Sequence, residues 1–283
     1  MLGPNDLVLC PGTLAPASLS DHVAAAVAGG FQGISLWTMH FNAALEGGRS
    51  AAQIAELFDE NGLEVTTLEA ILHWAGGAAT RAETDAEIDE TLAACRALGT
   101  RLISAVSLDP DLPDPKRAAE GLAHICDRVA DEEIQVCLEF LPWSGVRDLA
   151  TAWEIIGLAD RPNAGLLIDS WHFFRSGADT ELLRTIPGDK ILCVQLCDAP
   201  TLAEPDVEQE AMHRRLLPGA GDAGLEEFVR TLDAIGSKAP LSIEVFSDEL
   251  MSLPPEEAAR RMGAALRKVR DGARSGAGAE GAT

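Results

Sequence analysis

Eight short apolar runs, each followed by a helical segment, predict an α/β fold of the (β/α)8 barrel class, built as a single domain. Three observations carry that expectation. The runs are rich in Val, Ile and Leu and mostly continuous rather than alternating, which is the pattern of parallel strands covered on both faces. Most strand–helix units take about 30 residues, so eight of them fit within the 283-residue chain. A doubly wound open sheet is the structural alternative, but no GxGxxG or GxxxxGK[ST] phosphate loop follows any early strand.

In order along the chain, strands are expected at residues 6–10, 32–37, 63–69, 101–107, 134–140, 165–169, 191–197 and 240–246. Helices are expected near 19–28, 50–61, 81–98, 114–131, 148–159, 179–186, 224–235 and 255–270. Ser20-Asp21 and Ser50 read as N-terminal caps, and Gly29-Gly30, Gly62, Gly99 and Gly236 as helix stops. Residues 1–270 then make one barrel, and the Gly/Ala-rich stretch 271–283, which lacks apolar periodicity, reads as a disordered tail. The seventh connection is long. Residues 199–222 carry Pro200, Pro205, Pro218, Gly219 and Gly221, and a long connection after a barrel strand is usually functional.

The formal net charge of −23 repels phosphate backbones, so nucleic acid is not an expected partner. No run approaches the roughly 20 apolar residues that span a bilayer. No basic segment leads into an apolar one as in a secretory signal, and a cytoplasmic location is the expectation. The six cysteines are scattered without a CxxC pair; Cys137 and Cys193, in apolar runs, read as small core residues, and Cys193 and Cys197 fall on one face of the predicted seventh strand.

Four polar residues stand at or near the ends of apolar runs: Glu139 in VCLEF, Asp169 in LLIDSWH, Gln195 in CVQLCD and Glu244 in LSIEVF. A carboxylate in a buried strand is costly unless it is paired or bound to a metal. In a barrel, the C-terminal ends of strands five to eight converge on one mouth, so these four predict one oxygen-ligand site. Such hard ligands suit a divalent ion. Mn2+ is the first expectation, and Mg2+ or Co2+ accept the same set. His172, three residues after Asp169, is placed to position a substrate oxygen or to act as an acid or base. His73 and Trp74 follow the third strand beside Glu69, and Trp37 ends the second; all three are candidate walls of the mouth. The basic run His213-Arg214-Arg215 in the long connection points to an oxygen-rich or anionic substrate, because Arg binds carboxylate or phosphate with two hydrogen bonds.

Over residues 134–246 the order LEF, LLIDSWHFFRSG, VQLCD, RRLLPGAGD and SIEVF resembles the sugar phosphate isomerase/epimerase superfamily, the xylose isomerase-like TIM barrels. The resemblance implies Glu139, Asp169, Gln195 and Glu244 as metal ligands. It implies proton exchange by Glu139 and Glu244, and substrate contacts from His172 and Arg215. The implied activity is a divalent-metal isomerase or epimerase acting next to a carbonyl on a sugar, cyclitol or hydroxy-keto acid, so the expected partner is a small polyhydroxylated or keto-acid substrate. Barrels of this kind often pair as homodimers. Two departures stand out. Gln195 replaces the His that many members carry and resembles the 3-dehydroshikimate dehydratase-like members, which keeps a metal-dependent lyase as the alternative. Gly145 stands where ketose 3-epimerases usually place a second Glu. A non-catalytic carbohydrate-binding barrel is the remaining reading, and the full ligand set argues against it.

Overall fold

The apolar runs form eight strands: β1 (Leu7–Leu9), β2 (Gly33–Trp37), β3 (Glu64–Ile71), β4 (Leu102–Val106), β5 (Gln135–Glu139), β6 (Ala164–Asp169), β7 (Ile191–Leu196) and β8 (Leu241–Ile243). The structure is a computed structural model that describes residues 2–14, 17–75, 80–111 and 114–275. The strands pair in parallel in chain order, and β8 closes on β1 with Leu7 opposite Leu241 and Leu9 opposite Ile243. The result is a closed TIM barrel in one domain. β6 shows why these sequences read as continuous apolar runs, since every one of its residues is buried.

The helices are α1 (Leu19–Gly29), α2 (Thr38–Glu46), α3 (Ala51–Glu60), α4 (Arg81–Leu98), α5 (Pro115–Val129), α6 (Leu149–Ala159), α7 (Ser170–Arg175), α8 (Thr180–Thr185), α9 (Val207–His213), α10 (Leu225–Ala234), α11 (Asp248–Met251) and α12 (Pro255–Ser275). Eight of them were expected. α2, α7, α9 and α11 were not, and each lies in a connection that leaves the C-terminal end of a strand. The cap of α1 is Ser18 rather than Ser20-Asp21. The Ser18 side chain accepts the Asp21 N–H, and the Asp21 carboxylate reaches back to Ser18, a reciprocal box that Ser20 cannot make from inside the helix. Ser50 caps α3 as expected, in a box with Gln53.

α12 runs to Ser275, so residues 271–275 of the expected tail are helical, and residues 276–283 lie outside the described residues. α12 packs against α1 beside the β1–β8 seam. Gly29 and Gly263 allow that approach, because a Cβ on Gly263 would lie 2.2 Å from the Gly29 carbonyl oxygen. All six cysteines are free and buried. No helix among the described residues is long and apolar enough to cross a membrane.

Candidate active site

The register of the last four strands brings the polar strand ends together. Asp169 lies opposite Gln195 across β6 and β7, and the Glu244 N–H bonds the Leu196 carbonyl at 3.2 Å, just past β8. The Gln195 Nε2 sits 3.5 Å from Glu244 Oε1 and 3.3 Å from Glu69 Oε1. One ligand atom each from Glu139, Asp169 and His172 falls within 4.8 Å of the others. The four predicted residues therefore share one buried floor at the C-terminal mouth, and a fifth polar group from β3, Glu69, joins them.

Local chemistry explains the IDSWH segment. Asp169 ends β6 and caps α7, with its Oδ1 accepting the N–H groups of Trp171 at 2.7 Å and His172 at 3.1 Å. Capping leaves Oδ2 free to turn into the mouth, and it places His172 in the first turn, where its Nε2 lies 3.6 Å from Glu139 Oε1. The spacing of Asp169 and His172 is thus a helix cap with both side chains facing one centre.

The long connection delivers Arg215. Asp198, buried after β7, accepts N–H groups from Ala199 (2.9 Å), Gly219 (2.9 Å) and Ala223 (3.0 Å), which folds the LPGAGD stretch over it. The Arg215 N–H bonds the Phe246 carbonyl at 3.0 Å, so the segment lies beside the chain leaving β8. Its guanidinium then enters the floor. Nη1 donates to Asp169 Oδ2 at 2.8 Å and to Glu244 Oε2 at 3.3 Å, Nη2 lies 3.4 Å from His172 Nε2, and Nε donates to the Ala211 carbonyl at 2.8 Å. Its neighbours turn away: Arg214 pairs with Glu204, and His213 Nδ1 lies 2.9 Å from Asp248. The basic run is therefore no anion platform. One member of it neutralises the acids of the floor.

The electrostatics follow from burial. Desolvation, together with Glu244, Asp169 and Glu69 nearby, pushes the Glu139 carboxyl well above the usual range. Desolvation raises Glu244 to about 8 against the pull of Arg215, and raises Glu69 to about 7. Burial also lowers His172 to about 3, so its imidazole is neutral. Four carboxyl groups share one guanidinium, and burial makes ionisation of Glu139, Glu244 and Glu69 costly without a further cation. The Gln195 Oε1, buried, has no hydrogen-bond partner among the described residues. Hard oxygen donors, carboxyls whose ionisation a cation would favour, and an orphaned carboxamide oxygen fit a divalent cation.

The expected walls divide. Trp37, half-buried, stacks on His40 at 5.3 Å and on Phe246 at 6.5 Å, and Phe246 lies under the Arg215 guanidinium at 4.9 Å, so Trp37 reaches the site through Phe246. Trp74 is buried, and its Nε1 donates to the Val106 carbonyl at 2.9 Å, which ties the β3 connection to β4. The His73 side chain is 58% exposed and meets Glu87 of α4 at 2.6 Å. Neither contact runs to the carboxylates. The aromatic rings on His172 are instead Trp143, edge-on at 5.3 Å, and its chain neighbour Trp171, edge-on at 5.4 Å. Trp143 was not singled out from sequence, although it follows β5 as His73 and Trp74 follow β3. Glu69 was passed over as a site residue, although a Glu in the apolar run of β3 obeys the rule that nominated the other four.

A family model described as xylose isomerase-like TIM barrel matches residues 23–269. The chain belongs to that family. Among its curated relatives is a 3-dehydroshikimate dehydratase of Pseudomonas aeruginosa, 31% identical over 242 residues, which covers 84% of this chain and 37% of the relative. This chain thus spans well under half the length of that relative. An inosose isomerase of Bacillus velezensis is 28% identical and covers 74% of this chain and 76% of its own. Among solved structures, an IOLI protein with a bound zinc atom superposes with a TM-score of 0.87 at 23% identity, over 95% of this chain and 99% of that one, and shares the xylose isomerase-like barrel fold.

Proposed function

We propose that this family member is a divalent-metal isomerase or epimerase that moves a proton next to the carbonyl of a small polyhydroxylated ketone. The observation that carries the proposal is the floor itself: Glu139, Asp169 and Glu244, with the Gln195 carboxamide, gathered around one guanidinium. In this reading those four residues hold the ion, with Mn2+ as the expected metal. The ion supplies Lewis acidity that stabilises the negative charge on the substrate oxygen as the proton leaves.

The protein's own groups do the rest. Glu139 and Glu244 lie on β5 and just past β8, and a proton taken by one is returned by the other or by the same group. Arg215 and His172 bind substrate oxygens, with the imidazole kept neutral by burial. Trp37, Phe246 and Trp143 exclude water, which strengthens every interaction inside. The inosose isomerase relative supports this reaction class. The cytoplasm is the proposed location, and a homodimer the proposed assembly.

The test is metal content and activity in Glu139→Gln and Glu244→Gln. Both variants should lose bound metal and lose about 10²–10⁴-fold in proton-transfer rate. Retention of both metal and rate would remove the assignment. Gln195 and the Pseudomonas relative favour one second reading, a lyase that expels a β-hydroxyl. Incubation with 3-dehydroshikimate and a search for the ultraviolet band of protocatechuate decides it, and absence of the band removes the lyase.

A further inference from the structure

The floor of acids stands on a layer of small side chains. Side chains alternate along a strand, so the residues two positions before Glu69, Gln195 and Glu244 point into the barrel one layer lower: Thr67, Cys193 and Ser242. A TIM barrel usually fills such a layer with bulky Val, Ile and Leu. Here the three small residues line a cavity of about 540 Å³. It opens on the N-terminal face, opposite the mouth, among the first residues of β3, β4, β5, β7 and β8. Leu102, Leu192 and Pro240 give it apolar walls. Its rim is balanced in charge, with Arg101 and Lys238 set against Glu64 and Asp189. Thr67 hydrogen-bonds Cys193. The Ser242 hydroxyl, on a residue only 3% exposed, has no partner among the described residues. A buried hydroxyl left unpaired is costly, so its partner is to be sought in the cavity.

We propose that this cavity is a second ligand site, which takes an uncharged apolar ring compound bearing one hydroxyl, its rings against Leu102, Leu192 and Pro240 and its hydroxyl on Ser242. The volume lies within the range of small-molecule sites, roughly 300–1,000 Å³. The walls select an apolar body. The orphaned hydroxyl selects one hydrogen-bonding group, and Ser242 can either donate to it or accept from it. The balanced rim exerts no net pull on a carboxylate or phosphate, and a charge carried down to Ser242 loses its hydration without gaining a counter-ion there. Water alone would satisfy Ser242 but would leave the apolar walls wet, whereas a ring compound covers them. The site is independent of the reaction proposed for the floor above it.

The test is calorimetric titration with 2-naphthol and, for comparison, 2-naphthoate. Wild type should bind 2-naphthol, and should bind 2-naphthoate more weakly by about tenfold or more. Ser242→Ala should weaken 2-naphthol by about threefold to tenfold, the loss of one neutral hydrogen bond. Gln135 is exposed and lines the cavity at the start of β5. Gln135→Trp should therefore close the entrance and abolish naphthol binding, with Mn2+ affinity unchanged as the sign of an intact barrel. No binding of 2-naphthol by wild type leaves the cavity to water and overturns the proposal. So does 2-naphthoate bound as tightly as 2-naphthol, or undiminished naphthol binding in Ser242→Ala. Wild-type affinity in Gln135→Trp would place the naphthol elsewhere and overturn it as well.

Discussion

Glu139 and Glu244 are raised by burial, and Glu69 with them, so the metal-free floor holds protons at pH values where free carboxyls have lost them. A carboxyl whose folded pKa lies above its unfolded value contributes stability that is fully present below the unfolded pKa and is lost as pH rises through the folded one. For Glu244 that window runs from the ordinary 4.5 to about 8, and for Glu69 from 4.5 to about 7. A divalent ion displaces those protons and should remove the loss. Differential scanning of metal-free and Mn2+-loaded protein should therefore show a gap in Tm that widens from pH 5 to pH 8. A gap that narrows over that range would contradict the assignment of a cation to these acids. At this scale the sequence was informative wherever a polar residue interrupts an apolar strand. Glu69 satisfies that rule as well as Glu139 does. His73 and Trp74 mark the limit of the rule. Sequence position puts them after β3, but which way a loop side chain turns depends on Glu87 and Val106, partners it cannot reveal.

Among the elements, the connection from β7 to α10 does most to complete the site. It is held from below by Asp198 and from the side by the pair Arg175–Glu210, whose side chains are 5% and 1% exposed. Glu210 Oε2 also accepts the Glu204 N–H at 2.7 Å. Glu210→Gln leaves Arg175 buried without its counter-ion, at a cost of about 3–5 kcal/mol. Thermal unfolding should register that loss, and an unchanged Tm would show that the pair does not anchor the connection. A second element-level prediction concerns the α1–α12 seam. Gly263→Ala places a methyl against the Gly29 carbonyl and should cost about 1–3 kcal/mol in chemical denaturation, with no change in metal affinity. The eight strands and their covering helices were legible from the recurring rhythm of apolar run and helical segment, which picks out even the six-residue α8. α2, α7, α9 and α11, of nine, six, seven and four residues, fall outside that rhythm and are set by local caps and packing. Asp169 illustrates the point: its place at a strand end was visible, but its second role as the cap of α7 was not.

As a whole, the molecule is strongly acidic, with a net charge of −23, yet among the described residues its buried floor of acids faces a single guanidinium, that of Arg215. Closing eight parallel strands into a barrel is what makes this possible. Residues more than a hundred positions apart, such as Glu69 and Gln195, become neighbours at 3.3 Å. Most of that assembly could be foreseen from the strand–helix rhythm. The inward path of Arg215 could not, because it depends on the pairing of residue 215 with Phe246 in a segment without periodicity. The central claim, that this floor with a divalent ion moves a proton beside a carbonyl, is tested most directly by following solvent deuterium in D2O with uncharged cyclitol ketones and ketoses. Mn2+-loaded protein should place deuterium on a carbon next to the carbonyl of at least one of them, and metal-free protein and Glu244→Gln should not. Full exchange by metal-free protein, or no exchange by the loaded protein with any of them, would contradict the account.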